Sequence, residues 1–102
     1  MKVENMISAK GNKVANQFII TDKQYDEKEG GWIYTETFQS YDSTIAKIFS
    51  GGTVLLDEYY WDYSVTTGKY RNDFLGEGIA ETRAKIKSGE YTLTDLNKHG
   101  GV

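Results

Sequence analysis

Cysteine and proline are absent from this chain of 102 residues, and histidine occurs once, at position 99. Without a thiol there is no disulfide framework, no thiolate nucleophile and no cysteine-based zinc or iron–sulfur site, so stability must come from an apolar core. About five prolines would be expected at this length from average usage. The loops are therefore shaped by 11 glycines and by Asn and Asp. A dominant charge is lacking too. The balance of 15 acidic to 12 basic side chains, a formal charge of −3, argues against a dedicated nucleic-acid binder, which would gather Lys and Arg on one face. No run approaches the roughly 18 apolar residues of a membrane span, and the opening MKVENMISAKGNK lacks the apolar stretch of a secretory signal. These absences lead us to expect a single cytoplasmic domain over residues 1–97 and a flexible tail at 98–102, with fraying from Asn97 onward.

The conspicuous presence is aromatic. Aromatic residues make up 14% of the chain, eight of them tyrosine, a side chain suited to core edges and binding surfaces alike. Glu4–Ala9 and Gln17–Thr21 flank a turn signal at Gly11 and Asn12 and read as a hairpin. The charged stretch Asp22–Gly31 reads as a mobile loop at a sheet edge. Trp32, Tyr34, Glu36 and Phe38 alternate with Ile33, Thr35, Thr37 and Gln39, the period of a strand. Ser43–Phe49 reads as a strand turned by Gly51 and Gly52 into Thr53–Asp57; a short helix capped by Asp42 or Ser43 is the alternative for Asp42–Phe49. Beyond Tyr63 the period changes. Ser64, Thr66 and Thr67 offer caps to a helix carrying Tyr70, Phe74 and Leu75, and a second helix carries Ile79, Ala80, Arg83, Ala84, Ile86 and Lys87 up to Gly89. Tyr91 and Leu93 alternate with Thr92 and Thr94 in a closing strand. The pattern predicts an α+β domain, an antiparallel sheet of five or six strands with one or two short helices packed on one face.

The sharpest local feature is DEYYWDYS, residues 57–64, with three carboxylates and four aromatics in eight positions. Tyr59, Tyr60, Trp61 and Tyr63 would anchor a partner, while Asp57, Glu58 and Asp62 would face it with negative potential. The competing reading is a strand end entering a helix, with its rings closing the core. Lys69, Tyr70 and Arg71, with Arg83, Lys85 and Lys87, would form a small basic face for nucleic acid, or else a solvated helix surface. Catalytic signatures are wanting. The carboxylates match no metal motif, Thr66–Lys69 lacks the upstream glycine of a phosphate loop, and His99 has no fixed partner in the sequence. No enzyme, metal or cofactor is expected.

The run from Val54 to Asn97 resembles small uncharacterised proteins of Gram-positive phages, plasmids and conjugative elements. The residues that carry the likeness are Leu56 and Asp57, Trp61–Ser64, Lys69–Asn72, Phe74–Gly76 and Lys87–Tyr91, with Asn16–Ile20 and Phe38–Ala46 upstream. The likeness implies a context rather than a chemistry: a bacterial host cell, and a place among small inhibitors of host defence, including anti-CRISPR proteins. The expectation is thus a non-catalytic binding protein that occupies a basic surface on a host defence nuclease, an RNA-guided CRISPR effector first among them. The partner would be a protein or ribonucleoprotein, through Asp57–Tyr63 and Lys69–Arg71. The alternatives are a nucleic-acid-binding accessory or regulatory protein of the element, and an assembly module acting as a homodimer.

Overall fold

Alternating side chains need a sheet with two unlike faces, and the chain builds one from six strands. The computed structural model describes residues 1–98. Strands β1 (Lys2–Ile7), β2 (Lys13–Asp26), β3 (Gly31–Ser40), β4 (Ser43–Phe49) and β5 (Val54–Asp57) follow one another as an antiparallel meander. Helices α1 (Val65–Leu75) and α2 (Ile79–Ser88) then carry the chain back, so β6 (Tyr91–Thr94) lies parallel to β5. A parallel neighbour needs such a crossover, which makes the sheet mixed where its last strand joins. The α+β class and the two helices on one face are as the pattern predicts.

Register separates the two faces. Glu4, Ile19, Phe38, Ala46, Leu56 and Leu93 form one cross-strand row. Phe38, Ala46 and Leu56 are wholly enclosed, because Phe74 and Leu75 of α1 and Ile86 of α2 pack over this side. Each large side chain buried there contributes on the order of 2 kcal/mol. A bulge opposite Phe38 and Gln39 lets consecutive Ile45 and Ala46 both enter the core. The opposite row runs Val3, Ile20, Thr37, Lys47, Leu55 and Thr92. None of its members belongs to a core cluster, and no helix covers it.

The expected loop at Asp22–Gly31 is mostly strand. Asp22–Asp26 continue β2 and pair with Gly31–Thr35, leaving only residues 27–30 as a turn. Charged side chains misled because this ribbon is exposed on both sides, so it needs no apolar face. Tyr25 and Trp32 meet edge to face at 5.3 Å, and the Lys23 ammonium sits 4.9 Å from the Trp32 ring centre, which stabilises a ribbon otherwise marginal in water. Ser43–Phe49 is a strand, and the short-helix alternative does not form.

Two further ends are fixed by local chemistry. The Ser64 hydroxyl accepts from the Thr67 amide at 3.1 Å and starts α1. Gly76, at φ 70°, ends it by returning its amide to the Asn72 carbonyl. The chain after β6 is tied down rather than frayed at first. The Asn97 side chain brackets the backbone of Thr44 at 2.8 and 3.0 Å, and the Lys98 amide donates to Asp95. His99 and the rest of the expected tail, 99–102, lie outside the described residues. No helix among those described is long and apolar enough to cross a membrane.

Candidate functional site

The acidic-aromatic segment after β5 divides by direction. Asp57 is only 2% exposed. One of its oxygens accepts from the amides of Tyr59 and Tyr60 at 3.1 and 2.8 Å; the other accepts from the Leu96 amide at 2.8 Å and the Asn97 side chain at 2.9 Å. This carboxylate nails the turn out of β5 to the segment after β6. It cannot face a partner, which corrects its place in the predicted contact set. Trp61 is half-buried against the core and stacks beneath the Arg71 guanidinium, 5.4 Å from the ring centre.

Arg71 is the second correction, being 1% exposed. Its guanidinium donates to the Trp61 carbonyl at 2.6 Å, to Asp62 at 3.2 Å and to the Asn72 side chain at 3.0 Å. Burial of so large a charge is tolerated because these acceptors replace water at Nη1 and Nη2, although Nε has no partner among the described residues. Two more of the predicted basic residues have carboxylate partners. Arg83 reaches Asp62 at 3.4 Å, and Lys85 pairs with Glu77 at 2.8 Å and Glu81 at 3.3 Å. Lys69 lies over Tyr70, whose ring packs against the core cluster of Met6, Phe38 and Ile45. Burial thus removes Arg71 from the predicted basic face, while Lys69, Arg83 and Lys87 are exposed.

What remains outward is tyrosine and acid. Tyr59 and Tyr63 are 67% and 61% exposed. Together with half-buried Tyr60 their rings form a cluster with centroids 4.7–5.8 Å apart, each contact adding roughly 1 kcal/mol beyond area burial. Glu58 is exposed beside them. Across from this cluster is the β3–β4 turn. Ser40 pairs with Ser43, leaving Tyr41 and Asp42 at the tip. Tyr41 has φ 54° and is 60% exposed; its amide donates to the carbonyl of Asn16, itself at φ 64°, at 2.7 Å. A bulky side chain rarely takes that conformation.

The turn and the tyrosine cluster enclose a pocket of about 340 Å³. Tyr41, Tyr60 and Tyr63 supply rings, Ser40, Ser43, Ser64 and Thr67 supply hydroxyls, and Asp42 is the one acidic lining residue, with no Lys or Arg in the lining. Ser40 and Thr67 are buried, with their hydroxyl oxygens 3.5 Å apart, while Ser64 donates to Thr67 at 3.1 Å. The sequence signal for this pocket was faint. Serines flank Tyr41 and Asp42, but only the folded sheet carries them to Tyr60 and Tyr63.

A second cluster was missed altogether. Glu77, between α1 and α2, is 3% exposed in its side chain. It accepts from Thr82 at 2.6 Å, from Lys85 at 2.8 Å and from the Tyr91 hydroxyl at 2.8 Å. Burial alone raises the Glu77 carboxyl, but the hydrogen bonds from Lys85, Thr82 and Tyr91 and the Lys85 charge outweigh it, leaving the group below its ordinary value. Lys85 is raised chiefly by its bond to Glu77, and Tyr91 is raised by burial and then by the same carboxylate. This cluster ties α2 and β6 to the interhelical turn. Its donors saturate it. Asp57, Glu58 and Asp62 are not drawn together, and no group of three metal-ligating side chains occurs among the described residues.

The fold is a small α+β domain that exposes Tyr41, Tyr59 and Tyr63 beside Asp42 and Glu58. Residues 1–91 match the profile of a family of unknown function (DUF8033), and the chain belongs to that family. No curated protein and no solved structure matches it.

Proposed function

We propose that the chain is a binding protein that seats its tyrosine-rich, acidic end against a basic surface of another protein. The observation that carries this reading is an asymmetry. Tyr41, Tyr59 and Tyr63 are exposed beside Asp42 and Glu58, whereas Arg71 is buried against the Trp61 carbonyl and Asp62, and Lys85 is held by enclosed Glu77. Exposed tyrosines are strong contact residues, and flanking acids steer a basic partner. The likeness to mobile-element proteins makes a host defence nuclease the first partner to test, beginning with RNA-guided CRISPR effectors. The burial of Arg71 and the pairing of Lys85 with enclosed Glu77 weigh against the nucleic-acid accessory reading.

The decisive experiment titrates the protein into target-cleavage reactions of candidate effectors and looks for a complex by size exclusion. Inhibition with a stoichiometric complex, weakened by salt and by joint Asp42→Lys and Glu58→Lys substitution, is the expected result. Undiminished cleavage without a complex, across the effectors tested, overturns it. A steep, salt-sensitive gel shift with bare DNA or RNA would transfer the weight to the accessory reading. Light scattering separates self-association through the uncovered sheet face from either outcome.

A further inference from the structure

We infer that the pocket between the β3–β4 turn and the start of α1 receives an arginine side chain of the partner. This inference deepens the proposed recognition of a basic surface and rests on that reading. Three observations carry it. First, the walls are aromatic: Tyr60 and Tyr63 meet at 64° with centroids 5.3 Å apart, and Tyr41 stands across from them in the lining. Ring faces attract cations, and a guanidinium, planar and weakly hydrated, uses them better than an ammonium does. Second, Asp42 makes no hydrogen bond or ion pair among the described residues, and no lining residue is basic. A negative pocket without a cation among the described lining residues is complementary to one supplied from outside.

Third, the floor accepts. Ser40, Ser64 and Thr67 belong to the lining, and a hydroxyl oxygen has two acceptor lone pairs, so capacity remains beyond the Ser40–Thr67 and Ser64–Thr67 contacts. A guanidinium carries five donors in a fork, enough to engage a carboxylate and a hydroxyl together. At about 340 Å³ the pocket is at the small end of ligand sites and has room for a guanidinium-bearing side chain. The same arrangement exists inside this molecule, where the Arg71 guanidinium lies 5.4 Å from the Trp61 ring centre and bonds to Asp62.

The test follows backbone amide shifts of the isotope-labelled full chain during titration with Nα-acetyl-arginine amide. The neutral isostere Nα-acetyl-citrulline amide and Nα-acetyl-lysine amide are run in parallel. Arginine is expected to give saturable shifts confined to residues 40–43 and 60–67, with a dissociation constant on the order of millimolar. Citrulline should give none, and lysine should bind several-fold more weakly. Asp42→Asn, at an exposed position, should keep the spectrum of a folded chain and weaken arginine binding by about tenfold, the effect of losing an ion pair worth ~1.4 kcal/mol. Tyr63→Leu should weaken it as well. Equal shifts with citrulline, equal affinity for lysine, shifts spread over every acidic surface residue, or unchanged affinity in Asp42→Asn would each overturn the inference. The two readings fail separately. A partner complex that survives Asp42→Asn but is lost with Tyr59→Ala keeps the recognition surface and removes the arginine pocket; arginine binding without any partner complex keeps the pocket and removes the recognition reading.

Discussion

The molecule holds two kinds of acid beside tyrosine, and they behave oppositely. Asp57 and Glu77 are enclosed and saturated, Asp57 by three amides and a side-chain amide, Glu77 by a hydroxyl, an ammonium and a phenol. Asp42 and Glu58 are exposed, and neither carboxylate has a partner among the described residues. Composition cannot separate these pairs. Acceptor satisfaction can: a buried carboxylate whose bonds are all made inside the chain is structural, and one left open beside rings retains free energy for a ligand.

The widest gap between the two kinds should come at Asp57. Asp57→Ala strips acceptors from the partly buried Tyr59, Tyr60 and Leu96 amides. A loss of roughly 3 kcal/mol follows from several unsatisfied donors at once. Urea denaturation would measure it; a loss below about 1 kcal/mol would mean that water replaces the carboxylate. Asp42→Ala in the same assay should stay within about 0.5 kcal/mol of the parent chain, as exposed unpartnered sites do.

Glu77 should come next. Glu77→Gln keeps an acceptor but loses the charge facing Lys85, which still has Glu81 at 3.3 Å and partial access to water. The cost is accordingly about 1–2 kcal/mol, below that of a fully buried pair. The pH dependence sharpens the contrast. The folded Glu77 carboxyl lies below its ordinary value. Its stabilisation is therefore present above the unfolded carboxylate range, near ~4.3, and is lost as pH falls through the lower folded value. Tyr91 is shifted upward, so its contribution is complete below the unfolded tyrosine value of about 10 and fades as pH rises through the folded one. Glu77→Gln should flatten the acid limb of a stability-versus-pH curve. An unchanged acid limb would show that another carboxylate governs it.

Much of this architecture was legible because its elements obey simple periods. Trp32–Gln39 alternates without interruption, Ser43–Phe49 is stopped by glycines, and Ser64 and Gly76 bracket α1. The Asp22–Gly31 ribbon was hidden because cross-strand pairs such as Tyr25 with Trp32 are not neighbours in sequence. The same limit hid the Glu77 cluster. Glycines on either side of Glu77 marked a turn, but nothing local shows that Tyr91 returns to it through a parallel strand. Within DEYYWDYS the acids could not be sorted from one another, since Asp57 is enclosed by Leu96 and Asn97, nearly forty residues downstream. The Asp42 pocket was missed for the converse reason: its parts were noticed separately, and only the meander and crossover bring them together.

A gain smaller than the losses at Asp57 and Glu77 opposes stability to binding at a single residue. Tyr41 holds φ 54° at the tip of a two-residue turn while its ring is largely exposed. A tyrosine gains little there from burial and bears the steric cost of the left-handed region. Asparagine tolerates that region better, so Tyr41→Asn should raise stability by about 0.5–1 kcal/mol. If the ring is retained for contact, the same substitution should weaken arginine binding in the pocket and reduce any partner complex, even as the melting temperature rises. A variant both more stable and equally able to bind would place Tyr41 outside the recognition surface. A less stable one would show that the ring packs more than its exposure suggests, and would bring Tyr41 closer to the structural kind represented by Tyr91.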